Sequence, residues 1–269
     1  MSPMVAAILG LVEGLTEYLP VSSTGHLILA GHFLGDDGEA AKSFDIVIQL
    51  GAILAVVVHY RGLLWERGRG LALGNRASLD LALGLLLGFL PVAVAGLLLR
   101  KTIKAHLFGP VPVAVALLVG GLLMIVIERR REARAETGLE GLEHVTPRRA
   151  LAVGLGQCLS LFPGTSRSMC TIVAGQLAGL STATAAEFSF LLALPTLGSA
   201  TLYELLKARK ELLVEGMGAE LGIGLAVSFV VAWAVIAGFV AYLKRRGLLP
   251  FGLYRIVLGV IVFMVLVRG

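Results

Sequence analysis

The chain has little charge for its length, and this scarcity excludes an ordinary water-soluble domain. Only 15% of its 269 residues are charged, 57% are hydrophobic, and the mean hydropathy is +0.88. Soluble domains carry about 25% charged residues. Segments of alternating polarity, which are typical of transmembrane barrels, are lacking as well. The composition and the long apolar runs therefore predict an all-α polytopic membrane protein.

Cysteine is also scarce, which excludes a disulfide framework. The chain has only Cys158 and Cys170, and we interpret both as small packing residues. A basic N-terminal leader is lacking too. The first apolar run contains Glu13 and Glu17 instead, so we do not expect a cleavable signal peptide.

The net charge of +5 does not indicate a nucleic-acid-binding protein. The basic residues lie in short loops between apolar runs, where such residues anchor and orient membrane helices. We therefore expect no nucleic acid among the partners of this chain. We do expect contacts with membrane lipids, including anionic headgroups.

Six apolar runs are long enough to cross a membrane, because a full span takes about 20 residues. They lie at 45–61, 79–99, 110–128, 184–206, 220–243 and 251–267. Two pairs of shorter runs are each interrupted by a proline and a polar cluster: 4–19 with 26–34, and 149–162 with 169–180. Each pair predicts a re-entrant helical hairpin, whose broken backbone must face protein or a wet cavity. The alternative is one kinked span for each pair.

The spans divide the chain into two similar halves within one membrane domain. Residues 1–128 and 149–269 each hold a hairpin followed by three spans, and 129–148 is predicted to be a solvated cytoplasmic linker. Because three is an odd number, the second half starts on the opposite face of the membrane. This arrangement is an inverted-topology repeat.

The distribution of Lys and Arg predicts the orientation of the chain. The loops at 61–78, 129–149 and 244–250 hold 13 basic residues, and the opposite side holds 8. Cytoplasmic loops carry the excess of positive charge. We therefore expect both termini outside and a site that opens to the periplasm or exterior.

The first polar cluster contains groups that are costly in hydrocarbon and usually functional there. Glu13 and Glu17 share one face of a helix, where they would repel unless one held a proton or a cation bridged them. Oxygen ligands of this kind suit Mg²⁺ or Ca²⁺. The alternative is a carboxylate pair at a wet helix end with no ligand.

The same cluster continues with three hydroxyl residues, of which a helix cap would need only one. Ser22, Ser23 and Thr24 are followed by Gly25 and His26. Ser23 and His26 are three residues apart, so they could meet on one helical turn. A serine beside a base can act as a nucleophile.

The second polar cluster has the character of an anion site. Arg167 offers a planar fork of donors, and it stands among Gly164, Thr165, Ser166 and Ser168. A helix that starts here would add its positive N-terminal end. The cluster predicts a phosphate cradle, and an ion pair of Arg167 with Glu13 or Glu17 is the structural alternative. Together, the two clusters supply the parts of a phosphoryl-transfer site for a diphosphate lipid.

At this point the residues resemble a known family, the bacterial undecaprenyl-diphosphate phosphatases of the bacitracin-resistance type. The resemblance is carried by Glu13 and Glu17, by 20–26 and by 163–171, and it extends to 44–52 and 186–195. Met169 stands where glycine is commoner in that family. The resemblance implies hydrolysis of undecaprenyl diphosphate to undecaprenyl phosphate in the bacterial cytoplasmic (inner) membrane, with dependence on a divalent cation.

The resemblance also implies roles for individual residues. Ser23 is expected to attack the terminal phosphorus with His26 as its base, while Glu17, helped by Glu13, binds the metal or relays protons. His26 as the nucleophile and an activated water are the rival mechanisms. The phosphates are expected to contact Arg167, Ser166, Thr165, Gly164, Ser168, Ser22 and Thr24.

The broken helices, the small residues and the repeat each lead to one further expectation. A flippase for polyprenyl phosphates is the alternative function, because inverted repeats with broken helices are typical of transporters. The small residues from Gly84 to Gly88 could pack helices within one protomer or in a homodimer. At matching positions of the two halves, Arg167 is expected opposite Thr24, Met169 opposite His26, and Leu161 opposite Glu17.

Overall fold

The computed structural model describes residues 1–35, 39–107, 109–214 and 218–267. Within these ranges the chain is helical, without a β-strand. The helices are α1 (Pro3–Thr16), α2 (Ser23–Leu34), α3 (Glu39–His59), α4 (Arg61–Ala72), α5 (Arg76–His106), α6 (Pro110–Ala133), α7 (Pro147–Gln157), α8 (Arg167–Leu177), α9 (Thr182–Val214), α10 (Gly218–Leu243) and α11 (Leu249–Leu266). Short 3₁₀ turns lie at Leu142–His144 and Cys158–Leu161.

The long apolar helices confirm the prediction of an all-α polytopic membrane protein. Five of them are long and apolar enough to cross a membrane: Arg76–Leu99, Pro110–Ala133, Thr182–Leu206, Gly218–Leu243 and Leu249–Leu266. A sixth candidate is the pair Ser43–His59 and Arg61–Ala72, which is bent by 73°. Each of the six predicted spans coincides with one of these elements.

Two predicted loops are wrong in part. Residues 61–78 were expected to be a loop, but most of them form α4. Their Leu, Arg and Ala residues are good helix formers, and the prediction missed the helix because it considered apolar length alone. The linker 129–148 was expected to be solvated, yet α6 extends into it as far as Ala133. Arg131 is buried there and donates from Nη1 to the Gln176 carbonyl oxygen at 2.9 Å.

The two broken segments each consist of a pair of short helices, as the hairpin prediction requires. The first pair, α1 and α2, has 14 and 12 residues, and the second pair, α7 and α8, has 11 each. At a rise of about 1.5 Å per residue, none of them reaches the thickness of a bilayer core, about 30 Å. The members of each pair pack on each other.

Close glycine contacts join each hairpin to a long helix of the other half. Helix α1 packs on α10, and a Cβ atom on Gly10 would lie 2.6 Å from the Gly224 carbonyl oxygen. Helix α7 packs on α5, and a Cβ atom on Gly154 would lie 2.6 Å from the Gly88 carbonyl oxygen. An inverted repeat requires such paired contacts. The division into two repeats stays a prediction. Of the small residues from Gly84 to Gly88, Gly88 makes its close helix contact within one protomer.

Each hairpin has a break between its two helices, at 17–22 in the first half and at 158–166 in the second. The core of the protein brings these two breaks together. One buried cluster contains Tyr18 from the first break together with Met169 and Cys170 from the helix after the second. The Tyr18 ring packs edge-on against Phe190 of α9, with their centroids 5.1 Å apart. The polar segments of both halves therefore lie at one place inside the helical assembly.

We predict that Gly154→Ala destabilises the protein by about 1–3 kcal/mol, because the added methyl group would collide with backbone atoms of α5. The matched control is Gly238→Ala on α10, where a Cβ atom meets nothing within 4 Å. Thermal unfolding in detergent measures both variants. Equal melting temperatures for the two would contradict the α5–α7 contact.

Candidate active site

Both hairpin breaks end on a serine in the same unusual backbone conformation. Ser22 has a φ of 73° and Ser166 has a φ of 72°, in the left-handed region that residues other than glycine rarely occupy. The side chain of each accepts a hydrogen bond at 3.3 Å from the backbone N–H three residues later, at Gly25 and Met169. The two serines therefore begin α2 and α8 in the same way and occupy equivalent positions.

This equivalence corrects two expectations about the repeat. With Ser22 opposite Ser166, Arg167 corresponds to Ser23 and not to Thr24, and Met169 corresponds to Gly25 and not to His26. Leu161 does correspond to Glu17. The error arises because the two prolines do not occupy equivalent positions: Pro20 lies two residues before Ser22, whereas Pro163 lies three residues before Ser166.

The central contact of the site joins the two hairpins through Glu17. Arg167 donates from Nη2 to Glu17 Oε1 at 3.0 Å, and Ser23 Oγ donates to Glu17 Oε2 at 2.7 Å. The side chains of Arg167 and Glu17 are only 7% and 5% exposed. The structure thus brings three predicted site residues into direct contact and confirms the ion pair that was the structural alternative for Arg167.

The guanidinium group of Arg167 is also held from its other side. Its Nη1 donates to the carbonyl oxygen and the hydroxyl of Ser189 at 2.9 and 3.1 Å. The Ser189 hydroxyl lies 2.6 Å from Thr171 Oγ1, and the Tyr18 ring centroid lies 5.6 Å from the guanidinium carbon. No role was predicted for Ser189 or Tyr18, although Ser189 lies in the stretch 186–195 that carries the family resemblance and Tyr18 directly follows Glu17.

Several predicted phosphate contacts use their hydroxyls to hold the second break. Ser168 Oγ donates to the Leu19 carbonyl oxygen at 2.8 Å and lies 3.0 Å from Ser166 Oγ. Thr165 Oγ1 donates to the carbonyl oxygens of Leu159 and Phe162. Ser168 thereby adds a second link between the hairpins. Thr24 lies half-buried in the first turn of α2.

The predicted pair of Ser23 with His26 is not formed. His26 Nδ1 lies 2.8 Å from the Ser22 carbonyl oxygen, and Nε2 lies 2.7 Å from the Tyr254 hydroxyl. Ser23 is the first residue of α2, and its side chain turns back across the break to Glu17. No pattern in the sequence pointed to Tyr254, which lies in an apolar run on α11.

Glu13 is the least satisfied polar group of the site. Its side chain is fully buried, and neither carboxylate oxygen has a hydrogen-bond partner in the described part of the chain. Its charged neighbours are Glu17, Asp45 and Arg167. No cluster of three or more His, Cys, Asp or Glu ligands exists among the described residues. Two carboxylates fit a Mg²⁺ ion, however, because Mg²⁺ is commonly bound by one or two carboxylates together with substrate phosphates.

Arg255 of α11 holds the two breaks in place. This fully buried side chain donates from Nη1 to the Pro20 carbonyl oxygen at 3.4 Å. Its Nη2 donates to the carbonyl oxygens of Ala116 and Gly164 at 3.1 and 3.0 Å. Gly120 leaves the room for this group, since a Cβ atom there would lie 2.4 Å from Nη2. No role was predicted for Arg255 from the sequence.

Comparison with known proteins gives a consistent result along the whole chain. The model of the family described as bacitracin resistance protein BacA matches residues 6–261. An undecaprenyl-diphosphatase of Sorangium cellulosum is 61% identical over 96% of this chain and 84% of its own length. Those of Novosphingobium aromaticivorans and Albidiferax ferrireducens are 49% and 47% identical over 96% of this chain and 96% and 92% of their own lengths. On this evidence, the chain belongs to the bacitracin resistance protein BacA family.

Proposed function

We propose that this chain hydrolyses undecaprenyl diphosphate to undecaprenyl phosphate and inorganic phosphate, which recycles the lipid carrier for cell-wall synthesis. The observation that carries the proposal is the buried bridge Ser23–Glu17–Arg167, which places a hydroxyl, a carboxylate and a guanidinium group among membrane-spanning helices. The names of the relatives support the same reaction. No observation favours the flippase alternative, for which a hydroxyl bonded to a carboxylate has no use.

The geometry favours Glu17 over His26 as the group that accepts the Ser23 proton. In the proposed reaction, Ser23 Oγ attacks the terminal phosphorus while its proton passes to Glu17. The phosphoanhydride P–O bond breaks and undecaprenyl phosphate leaves with that oxygen. Water then releases inorganic phosphate from Ser23, whose oxygen regains a proton. His26 as the nucleophile and an activated water remain the rival mechanisms.

Arg167 is the residue we propose to hold the phosphates. It is the first residue of α8, so the positive end of that helix adds to its charge. A diphosphate that binds its guanidinium group would compete with Glu17 Oε1 for the same donor. Substrate binding would then leave Glu17 free to accept a proton. The backbone around Gly164 and the hydroxyls of Ser22 and Thr24 line the approach in this proposal.

We also propose that Glu13 and Glu17 hold a divalent cation, Mg²⁺ or Ca²⁺. The unpartnered and fully buried oxygens of Glu13 support this assignment. When bound, such a cation would neutralise charge on the diphosphate oxygens. The four-residue spacing keeps both carboxylates on one face of the first hairpin.

The finer localisation is a proposal as well. We place the chain in the bacterial cytoplasmic (inner) membrane with both termini outside and the site open to the periplasm or exterior. The excess of Lys and Arg in the loops assigned to the cytoplasm supports this orientation. Membrane lipids would contact the exposed apolar faces of the spans, and a homodimer stays a prediction.

The first experiment measures phosphate release from undecaprenyl diphosphate by the purified protein. We expect Ser23→Ala, Glu17→Gln and Arg167→Lys each to lower kcat/KM by at least about 10²-fold, because each removes one part of the bridge. Ser199→Ala and Arg134→Lys are controls at exposed positions and should keep full activity. Full turnover by the Ser23→Ala variant would exclude the Ser23 hydroxyl as the nucleophile.

The second experiment tests the cation. Chelation should abolish activity, and added Mg²⁺ or Ca²⁺ should restore it. Glu13→Gln should raise the cation concentration needed for half-maximal activity by about tenfold or more, because it removes one charged ligand. Glu132→Gln, at an exposed position, is the control. Activity that survives chelation would contradict the assignment.

The third experiment tests the orientation by labelling intact cells with a membrane-impermeant thiol reagent in a Cys158→Ser background. We expect Glu140→Cys, in the linker, to react only after the membrane is permeabilised. Ser2→Cys, at the N-terminus, should react in intact cells. Labelling of Glu140→Cys from outside would invert the proposed topology.

A further inference from the structure

The ring of His26 is held in one tautomer by its two hydrogen bonds. The Ser22 carbonyl oxygen, 2.8 Å from Nδ1, can only accept, so Nδ1 carries the hydrogen. In the neutral ring Nε2 then has the free lone pair. The Tyr254 hydroxyl, 2.7 Å away, is the donor that this lone pair requires.

The backbone of Ser22 is part of this arrangement. Its carbonyl oxygen accepts from the backbone N–H of His26 at 3.4 Å as well as from Nδ1. The positive φ of Ser22 sets the direction of that carbonyl group. Strained backbone of this kind persists where the surrounding structure holds it, and it clusters at functional sites. The first break is thus shaped to fix His26 as well as to start α2.

We propose that Tyr254 is a positioning residue for phosphoryl transfer: it acts through His26, whose Nδ1–H bond to the Ser22 carbonyl oxygen holds the backbone directly before the proposed nucleophile Ser23. The proposal rests on the proposed function. The Tyr254 hydroxyl keeps Nε2 as the accepting nitrogen, and its ring lies parallel to the imidazole, with an interplanar angle of 5° and centroids 5.6 Å apart. Together these contacts fix both the tautomer and the plane of His26.

The setting of Tyr254 separates this role from simple packing. Its side chain is 48% exposed, so it fills no part of the core. The next residue, Arg255, is fully buried and bonded to both breaks. Helix α11 therefore has a fixed position relative to His26, and the phenol is presented to the imidazole from a rigid support.

The test begins with Tyr254→Phe, which keeps the stacked ring and removes only the hydroxyl. We expect kcat for phosphate release from undecaprenyl diphosphate to fall about tenfold, as for the loss of one hydrogen bond, with KM changed less than twofold. Tyr242→Phe on α10 is the matched control. Its ring packs against Phe251, and no hydrogen bond of its hydroxyl is found among the described residues. The control should keep full activity.

A double-mutant cycle shows whether Tyr254 acts through His26. In a His26→Ala background, Tyr254→Phe should change kcat less than about twofold, because the partner of the hydroxyl is already gone. Losses that multiply in the double variant would overturn the proposal. So would full activity of either single variant. Melting temperatures in detergent check that each variant is folded. Because Tyr254 is half-exposed, we expect Tyr254→Phe to leave the melting temperature unchanged.

The same assay distinguishes a failure of the proposed function from a failure of the role proposed for Tyr254. Wild-type protein that releases no phosphate from the lipid diphosphate would contradict the proposed function itself. Active wild-type protein with multiplying losses would contradict only the role of Tyr254.

Discussion

The ion pair between Glu17 and Arg167 is the interaction on which the rest of the site depends. Two charged groups inside an apolar helical assembly are costly to bury. Removing one partner of such a pair costs about 3–5 kcal/mol, because the other charge is left unpaired. Here each partner comes from a different hairpin. The pair therefore obliges the two breaks to meet, and it places the reactive hydroxyl of Ser23 at the junction.

The surrounding contacts keep this pair buried and hold its orientation. Ser189 and the Tyr18 ring hold the guanidinium group from the second half and the first half, respectively. Ser168 adds a hydroxyl bridge to the carbonyl oxygen of Leu19. Preorganised donors of this kind are most effective in a buried site of low dielectric constant. The surrounding apolar helices provide that burial.

The sequence could predict the helical class, the six spans and most members of the site, because apolar length and misplaced polar groups are local signals. It could not predict contacts that depend on how the helices pack. Ser23 and His26 have the spacing of a nucleophile and its base, yet the break turns Ser23 towards Glu17 and α11 supplies Tyr254 to His26. Arg255 and Ser189 lie far from both clusters along the chain. Helix α4 was missed because its charged composition resembles that of a loop.

The contacts of Arg255 have a consequence for how the family site can vary. Among the described residues, this side chain donates to main-chain oxygen atoms alone, those of Pro20, Ala116 and Gly164. Carbonyl groups are present whatever side chain a residue carries. The hydrogen bonds of Arg255 therefore set the shape of the two breaks without determining most of the side chains there. A scaffold with this division of labour could exchange the polar groups of its breaks, and so its lipid headgroup, while the geometry of the paired hairpins stayed the same.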